Sequence, residues 1–384
     1  MKVVFAALGA YGHLFPMLPL AVACQDAGHE VVVATGAPFL NRLPLRTVPG
    51  LPAAVDLAWA EQEVRRRHPD LHGFEATLAM FGDVTAGATT ATMLEVLTSE
   101  RADLLVTEPL HLGAAIAGNL LDIPTLAFAI GLVPFMAATL HPVTIGYQRE
   151  LWLERGLTPP DAKLLGQAVL DPCPPSLQMP SDEMPSDEAP RIPIRSVAWR
   201  AAETPLPGWL TAGAVRPRVY LTLGTVSFGA VEVLRRAASE IASLDVDLLV
   251  AVGPEGDPTL LGELPSNVHV ERFVPQAEVL GRVDLIVHHG GTGTVLAALE
   301  AGLPQVILPQ GADQPFNADL ISRSGAGHHQ ANEDHAPGSI ASLVGPLLGE
   351  CPERETAVRI AVEIAAMPAP ADVVPELVAR AARA

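Results

Sequence analysis

Residues 284–317, DLIVHHGGTGTVLAALEAGLPQVILPQGADQPFN, constrain this chain more than any other stretch. Leu285-Ile286-Val287 has the composition of a buried strand and runs straight into two histidines and a Gly-Gly-Thr-Gly-Thr turn. Residues 295–300 have helix composition, and Gly302 marks the helix end. Residues 305–309 then read as a second buried strand, with the polar pair Asp313-Gln314 beyond its C-terminal end. A parallel strand, a glycine turn and a helix N-terminus gather free backbone N–H groups and a positive dipole end at one point, which is what holding a phosphate requires. The stretch reads as half of a nucleotide site.

A chain of 384 residues suits two domains around separate cores, and 49% hydrophobic with 17% charged residues implies a folded globular protein. The formal net charge of -19 argues against nucleic acid or an anionic membrane surface as partner. The one basic run, Arg65 to Arg67 followed by His68, reads as a solvated helix face. Cys24, Cys173 and Cys351 are widely spaced and odd in number, which fits a reducing compartment, the cytoplasm. Glycines and His13 interrupt the apolar start, so residues 3–8 are a first strand rather than a signal peptide. No uninterrupted apolar run reaches the roughly 18 residues of a membrane span.

Residues 3–8, the GAYGH loop, a helix over 14–27 ended by Gly28, and a strand over 30–34 make a unit of Rossmann type. Its glycines do not follow G-x-G-x-x-G. Residues 52–99 are mostly helical, residues 102–107 are a strand ending on Glu108, a helix covers 112–120, and 124–130 are the next strand. Residues 140–170 have helical spacing. Residues 171–213, rich in proline and acid, read as extended chain and linker. The plan of the first strand, loop, helix and strand returns at 218–252. The expectation is an α/β protein of two Rossmann-like parallel sheets facing across a deep cleft: residues 1–213 including the linker, residues 214–367, and a terminal helix over 368–384 that either caps its own lobe or crosses back to the first.

His13 lies in the loop after the first strand, with Gly9 and Gly12 permitting close backbone approach, and Glu108 ends another strand of the same sheet. A lone histidine is often structural. A carboxylate on one imidazole nitrogen, however, fixes the tautomer and favours the charged form, the arrangement for removing a proton from a hydroxyl nucleophile. No metal signature is present: there is no D-x-D in the expected sugar-nucleotide loop, no H-E-x-x-H, and His288 and His289 would point in opposite directions from a strand end. Asp313 and Gln314 suit either the vicinal hydroxyls of a sugar or a solvated loop. Segments 39–57, 74–81 and 132–151 suit an apolar acceptor or ordinary core.

Gly9-x-x-Gly12-His13, Gly224-Thr225, Phe273-Val274-Pro275-Gln276, the His288 to Thr294 box, Glu300, Asp313-Gln314-x-x-Asn317-Ala318 and the DPCPPSLQ segment together resemble the GT-B inverting glycosyltransferases that decorate bacterial natural products. The resemblance covers essentially the whole chain. It implies that His13 is the general base and that Glu108 stands where the family usually has an aspartate. Thr225 and His289, with the amides of Gly290, Gly291, Thr292, Gly293 and Thr294, would contact the diphosphate. Val274 would pair its backbone with the base edge near Gln276, Glu300 would bind the ribose, and Asp313 and Gln314 the sugar. Thr292, where plant relatives have tryptophan, fits a thymidine-diphosphate deoxysugar donor. The implied function is metal-independent transfer of a deoxysugar to a hydroxyl of an apolar aglycone, with the nucleotide sugar a substrate and no cofactor. A nucleotide-sugar epimerase or hydrolase, and a non-catalytic nucleotide-sugar-binding partner protein, remain as alternatives, and a homodimer is left open.

Overall fold

The computed structural model describes residues 1–132, 149, 152–154, 156, 166–178, 189–199, 205–224, 231–253, 256–330 and 336–382. The chain divides into two compact units. The first comprises Met1–Cys173, Gln178–Arg195 and Met367–Ala384, and the second Pro174–Leu177 and Ser196–Ala366.

The first unit is built on a seven-stranded sheet of order β3-β2-β1-β4-β5-β6-β7. Its strands are β1 (Lys2–Ala6), β2 (Glu30–Thr35), β3 (Arg46–Pro49), β4 (Leu104–Thr107), β5 (Thr125–Phe128), β6 (Val169–Asp171) and β7 (Arg191–Pro193). Every pairing is parallel. Helices cover such a sheet on both faces, which is why β1, β2 and β4 are runs of Val, Leu, Phe and Ala rather than alternating sequences. Parallel pairing also puts all C-terminal ends on one edge. Since Ala6 lies opposite Thr107, the loops after β1 and β4 emerge side by side.

Two features of this unit differ from the sequence reading. Val169 and Leu170 belong to a strand rather than to a helical stretch, and β7 lies within the segment read as linker. Pro190 precedes β7 and Pro193 ends it, and its place at the edge of the sheet is where a strand with missing N–H groups is tolerated. Asp171 ties this corner together, accepting from Cys173 N at 2.9 Å and from Gln178 Nε2 at 2.9 Å. The terminal helix Pro370–Ala381 belongs to this unit and packs on the Leu18–Asp26 helix. Its approach is fixed by Arg195 N donating to Pro368 O at 2.8 Å.

The second unit carries a six-stranded parallel sheet of order β10-β9-β8-β11-β12-β13. The strands are β8 (Arg218–Thr222), β9 (Asp247–Ala251), β10 (Val268–Glu271), β11 (Leu285–His288), β12 (Gln305–Ile307) and β13 (Gly327–His329). Alternate side chains of these strands enter two apolar clusters, one on each face. Leu210 is in one of them, so residues 205–213 pack with this unit instead of hanging free as linker. Arg218 explains the attachment: its guanidinium donates to the carbonyls of Trp209, Leu210 and Ala212 at 3.0, 3.0 and 2.7 Å. Trp209 in turn stacks on His269 with ring centroids 4.0 Å apart.

Candidate active site

His13 stands in the short helix Tyr11–Leu14 that follows β1, and Glu108 is the first residue beyond β4. Their side chains meet: His13 Nδ1 lies 2.9 Å from Glu108 Oε1. A carboxylate only accepts, so Nδ1 carries the hydrogen and Nε2 is the nitrogen able to take a proton. Glu108 is fully buried. Its Oε2 accepts from Leu110 N at 2.6 Å, and its Oε1 faces Leu8 N at 3.5 Å. Burial pushes its carboxyl up, but the charge and hydrogen bond of His13, the neighbouring His111 and the Leu110 amide outweigh it and hold the group below the usual carboxylate range. The longer side chain of glutamate therefore reaches the imidazole with sound geometry.

Gly9, not Gly12, is the glycine of close approach. A Cβ on Gly9 would lie 2.9 Å from the Cα of Gly36, whereas one on Gly12 would meet no atom within 4 Å. Sequence reading missed His111, which is fully buried beside Glu108 with neither ring nitrogen partnered. Burial pushes it down to about 4. The available signal was its position three residues after the carboxylate, in the same turn. Phe81 was read as one of several apolar residues, and its ring packs on His13 with centroids 5.7 Å apart.

In the second unit the two histidines diverge. His288 turns inward, its Nε2 donating to Gln305 Oε1 at 2.8 Å while its Nδ1 accepts from Gly290 N at 3.1 Å. Burial drives it down to about 3. The ring of His289 lodges between two glycines, where a Cβ on Gly291 would come 2.5 Å from its Nε2 and one on Gly224 would come 2.8 Å. Burial pushes His289 down to about 4, and its Nδ1 is buried without a partner. The helix Thr292–Glu300 starts at this point on Gly291, with no side-chain cap and no acidic residue in its first turn. Its backbone N–H groups and dipole are open to an anion.

Asp313 and Gln314 each commit one end to the fold. Asp313 Oδ2 accepts from Thr292 Oγ1 at 2.8 Å and from Asn317 Nδ2 at 2.9 Å. Gln314 Oε1 accepts from Gln310 N at 2.7 Å and Gly311 N at 3.2 Å, which leaves its amide nitrogen for another partner. Asn317, quoted in the motif without a role, holds three of the box residues through one amide: Gly290 O, Thr292 Oγ1 and Asp313 Oδ2. The side chain of Val274 is core, and its backbone lies in the turn between β10 and the Gln276–Leu280 helix. Glu300, expected at the ribose, ends the Thr292–Glu300 helix about 12 Å along the axis from the glycine turn. Thr225 and residues 133–148 of the apolar segment 132–151 lie outside the described residues.

Among the described residues no group of three or more His, Cys, Asp or Glu is placed to hold a metal ion, and no helix is long and apolar enough to cross a membrane.

The erythromycin biosynthesis protein CIII-like N-terminal domain matches residues 22–224, and the corresponding C-terminal domain matches residues 235–380. L-demethylnoviosyl transferase of Streptomyces niveus is 32% identical over 99% of this chain and 98% of its own length. The glycosyltransferase SnogD from Streptomyces nogalater superposes with a TM-score of 0.80 at 29% identity, covering 99% of each chain. The spinosyn rhamnosyltransferase SpnG, solved in complex with thymidine diphosphate, gives 0.81 at 26% identity over 98% of this chain and 100% of its own. With both sheets, both strand-end sites and these matches along its length, the chain belongs to the erythromycin biosynthesis protein CIII-like family of GT-B glycosyltransferases.

Proposed function

We propose that this enzyme moves a deoxysugar from a thymidine-diphosphate donor to a hydroxyl of an apolar natural-product aglycone, inverting the anomeric centre, with His13 as general base. The His13–Glu108 hydrogen bond of 2.9 Å carries the proposal. Glu108 orients the imidazole and stabilises the imidazolium, while Nε2 accepts the proton of the acceptor hydroxyl as its oxygen attacks. The nucleoside diphosphate departs from the opposite side of the anomeric carbon, so one displacement inverts the configuration and no covalent sugar intermediate is needed. The free amides at the start of the Thr292–Glu300 helix and the imidazole of His289 receive the diphosphate, the Gly290 amide being taken by His288 Nδ1. Support for the donor comes from the relatives: one is a demethylnoviosyl transferase, and another was solved with thymidine diphosphate.

The test is His13→Ala, assayed by mass spectrometry of the glycosylated product and by calorimetric binding of thymidine diphosphate. Transfer should fall by roughly 10²- to 10⁴-fold while nucleotide affinity is unchanged. Transfer at the native rate would remove His13 as the base. Incubation with donor alone separates the other chemistries, because epimerised or rapidly hydrolysed sugar without an acceptor belongs to an epimerase or hydrolase.

A further inference from the structure

Residues 73–100 form one helical run in which Gly73–Ala79 and Ala86–Glu100 are α-helical and Met80–Thr85 winds as a π-helix. A π turn rotates the side chains on either side of it out of the α-helical phase, and such turns are frequent at functional sites. Here the turn divides its residues between two environments. Asp83 meets His68 Nε2 at 2.8 Å and Arg67 at 3.6 Å, both at the end of the Leu57–Arg67 helix. Met80, Phe81 and Val84 enter an apolar cluster with Leu8, Leu51 and, from the same Leu57–Arg67 helix, Ala60 and Val64, against which Leu110 also packs.

Leu8 and Leu110 are the residues whose amides face the Glu108 carboxylate. The cluster around Phe81 thus packs on the backbone that positions the base's partner. Phe81 itself lies against the imidazole of His13, tilted by 39° at a centroid distance of 5.7 Å. The hydrogen bond from Nδ1 to Glu108 fixes one point of that ring. One point leaves the ring free to swing about it, and a flat neighbour tilted against the ring supplies the second restraint that aims Nε2.

We propose that Phe81, aimed by the π turn, is a positioning residue for His13 and forms the apolar side of the acceptor subsite, so that the enzyme recognises an apolar face next to the reacting hydroxyl. The proposal rests on His13 being the base. The titratable groups nearest His13 are Glu108 and His111, with Asp83 and His68 at the far side of the π turn, and replacing Phe81 alters none of them chemically.

The experiment measures kcat, acceptor KM, donor KM, thymidine diphosphate affinity and thermal midpoint for Phe81→Leu and Phe81→Tyr, with His13→Ala alongside. A displacement of the base on the scale of 1 Å corresponds to about a hundredfold in rate, so Phe81→Leu should lower kcat by about ten- to a hundredfold. Acceptor KM should rise with it, and donor KM and nucleotide affinity should stay at the native values. Phe81→Tyr keeps the flat ring and should recover most of kcat. Phe81→Met replaces the leucine variant if that does not fold, with the same expectation. If His13→Ala is inactive while the leucine or methionine variant keeps native kcat and acceptor KM, the assignment of Phe81 is overturned and that of His13 stands. Native transfer by His13→Ala overturns both. A loss of kcat that tyrosine does not rescue, or that donor KM and nucleotide affinity follow, would make Phe81 a structural residue only.

Discussion

The substitution Gly291→Ala is the cleanest probe of the donor box, because it perturbs one side chain and almost nothing else. Gly291 has φ -61° and ψ 137°, a conformation alanine adopts without strain, unlike Gly290 at φ 94° and Gly224 at φ 86°. The new methyl carbon would lie 2.5 Å from His289 Nε2, where ordinary contact begins at 3.4 Å, so the ring must retreat by roughly 0.9 Å. The same ring also lies against the main chain of Gly224, where an added Cβ would come within 2.8 Å of it. A hydrogen bond to a charged group contributes about 1.5–3 kcal/mol, so losing the His289 contact to the diphosphate should weaken thymidine diphosphate binding by about 10- to 150-fold. Exchanging glycine for alanine at a helix N-cap costs only a fraction of this, about 0.5 kcal/mol, so the thermal midpoint should move little. Calorimetric titration at constant ionic strength measures the affinity. Unchanged binding in the folded variant would refute the placement of the diphosphate against His289.

Two more outcomes follow from the buried polar groups. His288 and His289 are held neutral by burial, at about 3 and about 4 against 6.5 for a free imidazole, so the unfolded chain binds protons that the folded second unit does not. Stability of that unit should be complete above pH 6.5 and fall as the pH drops toward 4, the unfolding constant rising by about tenfold per pH unit for each histidine. Denaturant midpoints at pH 7 and pH 5 check it, and equal values would mean that these imidazoles are hydrated. Asn317→Ala should destabilise the second unit by about 1–3 kcal/mol, because Gly290 O loses its donor, and should raise donor KM by freeing Asp313. Asn317→Asp should be worse in both respects, since it sets a second carboxylate where a donor stood 2.9 Å from Asp313. A thermal midpoint for the aspartate variant at or above that of the alanine variant would contradict this.

What was legible in the sequence was whatever one periodicity or one position decides. Buried parallel strands declare themselves as apolar runs: β4 and β8 lie within the stretches expected, and β1 and β11 each overrun theirs by one residue. Polar residues just past such runs sit on the carboxyl edge of the sheet, and that is where the structure places His13, Glu108 and His289. What failed depends on tertiary partners. Three-residue strands such as β6 and β7 carry too few side chains for any pattern, and β7 is recognisable only once a sheet edge exists to receive it. The helix Gln314–Ser324 was missed because Asp313, Gln314 and Pro315 look like a loop, although proline at the first helical turn is well tolerated. The π turn has no local signature at all. Its phase is set by Asp83 reaching His68 and Phe81 reaching His13 across the chain.

The two sites meet opposite electrostatic demands. As the proposed base, His13 would begin neutral and become charged during the reaction, and the charge it acquired would fall beside the buried carboxylate of Glu108. The diphosphate is charged throughout and gains charge on leaving. At pH 7 His289, held down to about 4, is a neutral dipole rather than a counter-ion. The helix behind it begins on an uncapped glycine, where a helix built for stability alone would carry Ser, Thr, Asp or Asn. The buried, unpartnered Nδ1 of His289 costs about 1–3 kcal/mol as long as nothing meets it. Oriented amides and one unsatisfied imidazole need no rearrangement when the leaving group departs, and they favour the anion without locking it in an ion pair. On the proposed reading, that is how a box made of glycine, threonine and histidine would hold a diphosphate in a chain with a net charge of -19.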